Sequence, residues 1–306
     1  MTAARTTDQA DMLRQLAGSA KKRRSGEPRP ERRTGSRVIS VTGGKDDAGK
    51  STVAINLAEA LADRGERVLV VDADRGQGDL CMRFGILPTC SLNQVLSNEH
   101  SLEELVVDLG GGVQLLPAGT VVQQYQSLSP SERLGLFQAM ERLEERFDFV
   151  LIDAGAGIPA NVTGFASAAR EVMLVMTPEP ISITDAYTMV KTLSGRYGAL
   201  KFRFLVNRCR DAEEGAALFR KLSAITGKFL EVSLEYAGCI LHDELLVESG
   251  KRRGTLSRLF PDATVTQHFQ TLAQQLTTEG PAGAVAAPLD PPAARRKEWR
   301  NHELSS

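Results

Sequence analysis

The chain has 306 residues, with 42% hydrophobic and 25% charged, a balance that fits a globular protein of one large or two small domains with a buried core and excludes a disordered or collagen-like chain. The formal net charge of −1 excludes a chain that works as a polyelectrolyte throughout, although the run 21–37, "KKRRSGEPRPERRTGSR", gathers eight basic residues against two acidic ones. The four cysteines, Cys81, Cys90, Cys209 and Cys239, show no C-x-x-C spacing, and no run of about 18 apolar residues occurs; the expectation is a cytoplasmic chain without a disulfide framework, a cysteine metal site or a membrane span.

Residues 1–19 hold a short helical pattern, "TTDQADMLRQLAG", with Thr7 as an N-cap and Ala10, Leu13 and Leu16 along one side. Residues 20–36 read as a basic flexible linker. From 37 to 278 the pattern alternates. "RVISVTG" is a β-branched run, and "KSTVAINLAEALADRG" follows with helical periodicity. Then come "RVLVVDAD", "VQLLPAG", "FDFVLIDAG", "EVMLVMTPE" and "FRFLVNR", short apolar runs mostly separated by helical segments. Strands that are apolar on both faces and alternate with helices predict an α/β fold, doubly wound, with a mainly parallel sheet. Ligands of such sheets bind beyond the carboxyl ends of the strands. Residues 279–306 open on a Pro/Ala/Gly-rich stretch expected to be disordered and close on a basic end carrying Trp299.

Gly44-Lys45-Asp46-Asp47-Ala48-Gly49-Lys50-Ser51 satisfies G-x-x-x-x-G-K-[ST] between an expected strand and an expected helix, the setting in which that spacing forms a phosphate loop. Backbone N–H groups and the helix N-terminus attract phosphate oxygens. Lys50 would reach the β- and γ-phosphates, and Ser51 would ligate Mg²⁺. Asp72 and Asp74 alternate along "VVDADRG", with Asp74 at the strand end, where a carboxylate can orient attacking water. "LIDAGAG" ends an apolar strand in Asp153, placed to hold Mg²⁺, and Gly155 and Gly157 leave the following backbone room to move.

Together these three motifs resemble the MinD/ParA class of P-loop ATPases with their deviant phosphate loop. Within that class the chain resembles the FlhG/FleN family of flagellar-number regulators, through "DQADMLR" (8–14), "DAGAGI", "TPEPISITDAY" (177–187), "EEGAALFRKL" and "FLEVSLEYAGCILHDE". The resemblance implies ATP and Mg²⁺ as ligands, with Gly44, Lys45, Asp46, Asp47, Ala48, Gly49, Lys50, Ser51 and Thr52 forming the nucleotide loop. It implies that Lys45 reaches a partner's phosphates in a nucleotide-sandwich homodimer, and that Lys45 and Lys50 assist hydrolysis at water positioned by Asp74. Asp153 would hold Mg²⁺ through water, Asn207 would recognise adenine, and Gln9 would be presented to a flagellar signal-recognition-type GTPase. C-ring proteins and a flagellar transcription activator are further implied partners. Contact with the membrane would be peripheral, at the cell pole, and no direct binding of nucleic acid is implied.

The chain departs from the family at Asp46-Asp47, where relatives carry two glycines. Two costs are expected. Asp tolerates a left-handed backbone less well than Gly. A carboxylate about 5 Å from one phosphate charge costs about 3 kcal/mol at an effective dielectric of 20. Arg75 could neutralise one of the aspartates, and Asp79 replaces an Asn of the relatives. Two alternatives therefore stand beside the ATPase switch: a non-hydrolysing adaptor with a degenerate loop, and a ParA-like positioner of other cargo.

Overall fold

The computed structural model describes residues 35–74, 80–86, 92–97, 99–118, 128–156, 169, 171–197, 200–230, 232 and 234–279. The chain enters through β1 (Arg37–Gly43), whose residues are almost all buried, and turns through the phosphate loop into α1 (Lys50–Asp63). Then follow β2 (Val68–Asp72), two short helices α2 (Leu80–Phe84) and α3 (Leu92–Leu96), β3 (Val107–Gly110), β4 (Val113–Pro117), α4 (Pro130–Glu144) and β5 (Phe149–Ala156). The second half runs β6 (Glu171–Met176), α5 (Ile181–Tyr197), β7 (Lys201–Cys209), α6 (Ala212–Phe229), β8 (Leu234–Leu241), α7 (Glu244–Lys251), α8 (Leu256–Leu259) and α9 (Thr264–Thr278). Polar residues stop the backbone from running straight on. Ser129 and Glu132 form a capping box at the start of α4, and Asp211 and Asp243 accept from the first turns of α6 and α7.

The eight strands form one sheet in the order β3-β4-β2-β5-β1-β6-β7-β8, parallel except for the antiparallel β3–β4 pair. Alternate residues face opposite ways. Ile39, Val41, Val68, Val70, Leu151, Met173 and Val175 pack on one face under α1 and α9. Leu69, Val71, Val150 and Ile152 face the other way toward Leu136, Met140 and Leu143 of α4. Val172, Leu174, Phe202 and Phe204 continue that second face under α5 and α6. The doubly wound reading holds. β1 lies between β5 and β6; the chain leaves it toward β2 on one side and later crosses from β5 to β6 on the other, so the crevice of the topological switch opens above its carboxyl end.

Two strands escape the sequence reading. β3 is a four-residue edge strand, "VDLG", with a mostly part-exposed pattern, and β8 is the opposite edge, with three intermediate positions before its first buried one. Edge strands covered on fewer sides carry no continuous apolar run. The strand read through Asp74 ends instead at Asp72. The N-terminal helix, the linker, the C-terminal tail, Arg75 and Asp79 lie outside the described residues.

At the opposite end from the crevice, buried charges close the strand starts. Arg37 on β1 donates from Nε and Nη2 to Glu171 of β6, both at 2.7 Å, and Arg203 of β7 donates from Nε to the same carboxylate at 2.9 Å. Both arginines also reach Glu279, just past α9. Burial works to raise the Glu171 pKa, but the two guanidinium groups outweigh it and hold the carboxyl below its ordinary value of 4.5. Removing the shared anion would leave two buried cations with only part-exposed carboxylates beside them. Glu171→Gln is expected to cost about 3–5 kcal/mol in urea denaturation. Because the folded-state pKa is depressed, the wild-type contribution is complete above pH 4.5 and is lost as the pH falls below it through the folded value. Melting of the Gln variant should lack that acid-side component.

Candidate nucleotide site

The loop between β1 and α1 is fixed by what lies against it. Gly44 has no room for a side chain, since a Cβ there would come 2.3 Å from the Cβ of Asp185 on α5. Gly49, the residue before α1, has φ 85°, and a Cβ would come 2.5 Å from the Asn207 amide nitrogen. Asp46, Asp47 and Ala48 make a single 3₁₀ turn between them. Both aspartates are exposed, and neither has a positive φ; among the described non-glycine residues only Arg208 and Arg253 do. The conformational cost expected of Asp46-Asp47 is therefore absent. The electrostatic cost falls as well, because solvent-facing carboxylates are screened by water.

Lys50 is buried and donates from Nζ to the carbonyl oxygens of Lys45 (2.7 Å) and Asp46 (3.2 Å). Burial pushes its pKa down; Asp153, Asp46, Asp74 and Asp47 work in the opposite direction. Lys45 points elsewhere. Its Nζ forms an ion pair with Glu179, in the segment between β6 and α5, and that hydrogen bond raises the lysine pKa. The same segment is stiffened by the buried Thr177–Ser182 hydroxyl pair at 3.1 Å. "TPEPISITDAY" thus supplies two neighbours of the loop, Glu179 on Lys45 and Asp185 beneath Gly44.

β5 brings Asp153 level with Val41 of β1 and Asp72 of β2. Its carboxylate is fully buried, and neither oxygen is hydrogen-bonded in full geometry. Burial pushes its pKa up to about 6, the Ser51 hydroxyl counters part of this, Asp74 adds to it, and Lys50 and Arg83 oppose it. Asp72 is an anchor: its oxygens accept from the backbone N–H groups of Leu80 (2.8 Å) and Asp74 (3.3 Å). Asp74, two residues beyond the strand, lies against Gly155, where a Cβ would come 2.4 Å from its Oδ1. That approach is the reason for a glycine at 155, whose carbonyl also accepts from the Thr42 hydroxyl at 3.3 Å. Gly157 falls outside the described residues, as does Gln9.

Asn207 closes the unbroken buried run of β7 that starts at Phe202. Its Nδ2 donates to the Ala48 carbonyl at 2.9 Å, and its Oδ1 accepts from the Arg208 N–H at 3.0 Å. One N–H and one lone pair of the amide remain for a further partner. Thr52, in the first turn of α1, accepts from Arg83 of α2 at 2.9 Å. The structure therefore brings Gly44, Lys45, Asp46, Asp47, Ala48, Gly49, Lys50, Ser51, Thr52, Asp74, Asp153 and Asn207 to one end of the sheet. Sequence reasoning missed Glu179, Asp185 and Arg83. The first two sit in the stretch that carried the family resemblance, so a role for it was signalled without its contacts; Arg83 had no motif to mark it.

The buried, donor-free Asp153 beside the Ser51 hydroxyl fits a hard divalent cation such as Mg²⁺, which takes oxygen ligands and keeps several waters. Among the described residues no group of three or more His, Cys, Asp or Glu side chains forms a metal cage.

Comparison with known proteins agrees with this geometry. The profile of the AAA domain family matches residues 36–200. The Pseudomonas aeruginosa antiactivator FleN is 38% identical over 239 residues, covering 78% of this chain and 85% of FleN. The Helicobacter pylori flagellum site-determining protein YlxH is 30% identical over 256 residues, 83% of this chain and 86% of its own. The septum site-determining protein MinD of Pyrococcus horikoshii, solved with Mg-ADP, superposes with a TM-score of 0.62 at 25% identity, over 79% of this chain and 96% of that one. A switch-point crevice holding a P-loop lysine, a buried Asp on β5 and this set of relatives identify the chain as a member of the MinD/ParA class of P-loop ATPases, in the FleN/FlhG group within it.

Proposed function

We propose that the chain is an ATP-driven dimerising switch that regulates flagellar number or placement. The observation that carries the reading is the pairing of Lys50, held by loop carbonyls, with a buried Asp153 that lacks donors, both beside Ser51. Each is a charge prepared for something the polypeptide does not itself supply. ATP phosphates would take Lys50 from the Lys45 and Asp46 carbonyls and lie along the N-terminus of α1. Ser51, and Asp153 through water, would hold Mg²⁺, which supplies neutralisation of phosphate charge. Asp74 would orient the attacking water, and Asn207 would offer its remaining donor and acceptor to adenine while still tying Ala48. The MinD relative solved with Mg-ADP supports the choice of ligand.

Lys45 would be the moving part. In the free chain it is held by Glu179 of its own subunit. To reach a second copy's phosphates it must leave that carboxylate. Dimerisation is then an exchange of one ion pair for another, favoured when a triphosphate is present. The names of the FleN and YlxH relatives support the flagellar setting over a ParA-like positioner of other cargo. In this reading the protein acts in the cytoplasm and peripherally at the cell pole, with a flagellar signal-recognition-type GTPase, C-ring proteins or a transcription activator as partners. The non-hydrolysing adaptor reading rests on a loop spoiled by Asp46 and Asp47; their exposed positions on the 3₁₀ turn favour the ATPase reading over it, and a phosphate-release assay decides between the two.

Three outcomes are expected. Asp153→Asn should raise the stability of the nucleotide-free protein by about 1–3 kcal/mol at pH 7.5 in urea denaturation, because a buried unsatisfied charge is removed, while Mg-ATP affinity falls; a less stable variant would show that Asp153 serves the fold. In light scattering with Mg-ATP, Asp74→Ala should accumulate a dimer and release no phosphate, whereas Asp46→Gly/Asp47→Gly should bind Mg-ATP no more than about fivefold more tightly than wild type, the scale of screened surface charges. Absence of an ATP-dependent dimer in every variant would remove the switch. Deleting residues 1–19 should leave nucleotide binding intact and abolish stimulation of the partner GTPase, and Gln9→Ala should reproduce the loss; a GTPase assay with the truncated chain decides it.

A further inference from the structure

We propose that Arg83 is a further residue of the nucleotide site, which positions the Thr52 hydroxyl and adds positive charge where phosphates meet the first turn of α1. The proposal rests on the nucleotide-binding reading above. It starts from an imbalance. The buried arginines Arg37 and Arg203 are matched to carboxylates at Glu171 and Glu279, and Arg258 is matched to Glu59. Arg83, partly buried on a five-residue helix, has no ion pair among the described residues. Among the described residues one of its five N–H donors is used, from Nη2 to the Thr52 Oγ1 at 2.9 Å. Burial pushes its pKa down, with Asp153 alone opposing.

Asp153 and Arg83 therefore feel each other's charge without forming an ion pair. One is an anion with no donor, the other a cation with spare donors, and both lie beside Ser51 and Thr52. A pair serving stability alone would close on itself, because an uncompensated buried charge is destabilising. The chemistry that completes both at once is a polyanion with a bound divalent cation: anionic oxygen toward Arg83, the cation toward Asp153. A nucleoside di- or triphosphate with Mg²⁺ has that form.

Thr52 connects Arg83 to the ligand. It is the third residue of α1, in the turn whose backbone N–H groups face an anion. Its oxygen accepts from Arg83, which leaves its own proton to be donated onward. Its carbonyl accepts from Asn56 at 2.8 Å, and Asn56 in turn accepts from the Leu256 N–H at 2.8 Å, so the threonine is held from α8 as well. Gly250 of α7 closes the other side of the guanidinium; a Cβ there would come 3.2 Å from Nη2. Arg83 thus stands between α7 and the first turn of α1, and it brings a positive charge to that turn.

The test uses the full chain and the variants Arg83→Gln, Arg83→Lys, Thr52→Val and the Gln/Val double variant, with calorimetric titration of Mg-ADP and Mg-ATP and thermal melting without nucleotide. Arg83→Gln is expected to weaken both nucleotides about tenfold and to leave the nucleotide-free melting temperature unchanged or higher, since an unpaired, partly buried cation is removed. Arg83→Lys should recover part of the affinity by restoring charge. The double variant should lose less than the sum of the single losses, because both changes break one chain of contacts. Affinities of Arg83→Gln within about twofold of wild type would overturn the proposal. So would a lowered nucleotide-free melting temperature that Lys fails to restore, the mark of a packing role. If wild type and a Lys50→Ala control both bind no nucleotide, the nucleotide-binding reading fails first and this proposal with it; normal wild-type binding with an indifferent Arg83→Gln sinks this proposal alone.

Discussion

A carboxylate buried in the middle of a sheet with no donor on either oxygen is the constraint around which this molecule is arranged. Asp153 sits on the central strand β5, level with Val41 of β1 and with Asp72, the last residue of β2. Leaving it there opposes folding, since burial favours the neutral acid. The opposite end of the same sheet shows that the chain can bury charge at less cost. There Glu171 receives three N–H donors from Arg37 and Arg203, and Arg67 at the start of β2 pairs with Asp148 at the start of β5. Charges at the strand starts are mutually satisfied. Toward the crevice, Lys50 and Asp153 form no ion pair with each other, and Lys50 turns to loop carbonyls instead. The first arrangement ties β1, β6 and β7 together; the second leaves a buried carboxylate without a hydrogen-bond partner among the described residues.

Seen this way, Asp46 and Asp47 are less disruptive than their place in a phosphate loop suggests. Two features decide whether such a loop forms: room for the backbone and a left-handed turn into the helix. The structure assigns the first to Gly44, against Asp185, and the second to Gly49, against Asn207. Positions 46 and 47 carry neither requirement. They lie on a solvent-facing 3₁₀ turn whose Asp46 carbonyl still serves Lys50. What remains is a long-range charge effect, felt by Lys45 from Asp47 and by Lys50 from both.

The fold was legible wherever burial was complete. β1, β2, β4, β5, β6 and β7 are covered on both faces and read as apolar runs, whereas the edges β3 and β8 do not. In the candidate site, the placing of Lys50 and Ser51 was legible from local spacing along one strand–turn–helix unit, and that of Asp153 from the apolar run of β5. Asp74 was read at the end of its strand, where Asp72 in fact ends it and anchors the turn. Lys45 with Glu179 could not be read, because 134 residues separate them and only the neighbouring positions of β1 and β6 bring them together. The Arg83–Thr52 contact is shorter in sequence, 31 residues, yet it depends on the path of the chain after β2, which no periodicity specifies.

The difference between the two kinds of charge pair also explains why motion belongs on one side of the loop. Lys45 and Glu179 keep side-chain exposures of 31% and 50%, so water already competes for both groups, and breaking their contact strands neither charge. Arg37 and Glu171 are 3% and 2% exposed, and separating them would leave uncompensated charge in the interior. In the proposed switch a triphosphate would have one inexpensive contact to displace, that of Lys45, while the strand starts would stay closed. Lys50 does not share that exposure, since it is buried and its Nζ is held by the Lys45 and Asp46 carbonyls. The chain separates the two lysines by solvent access: Lys50 is enclosed within the loop, and Lys45 stands in a solvent-accessible ion pair, the difference on which the proposed exchange between copies rests.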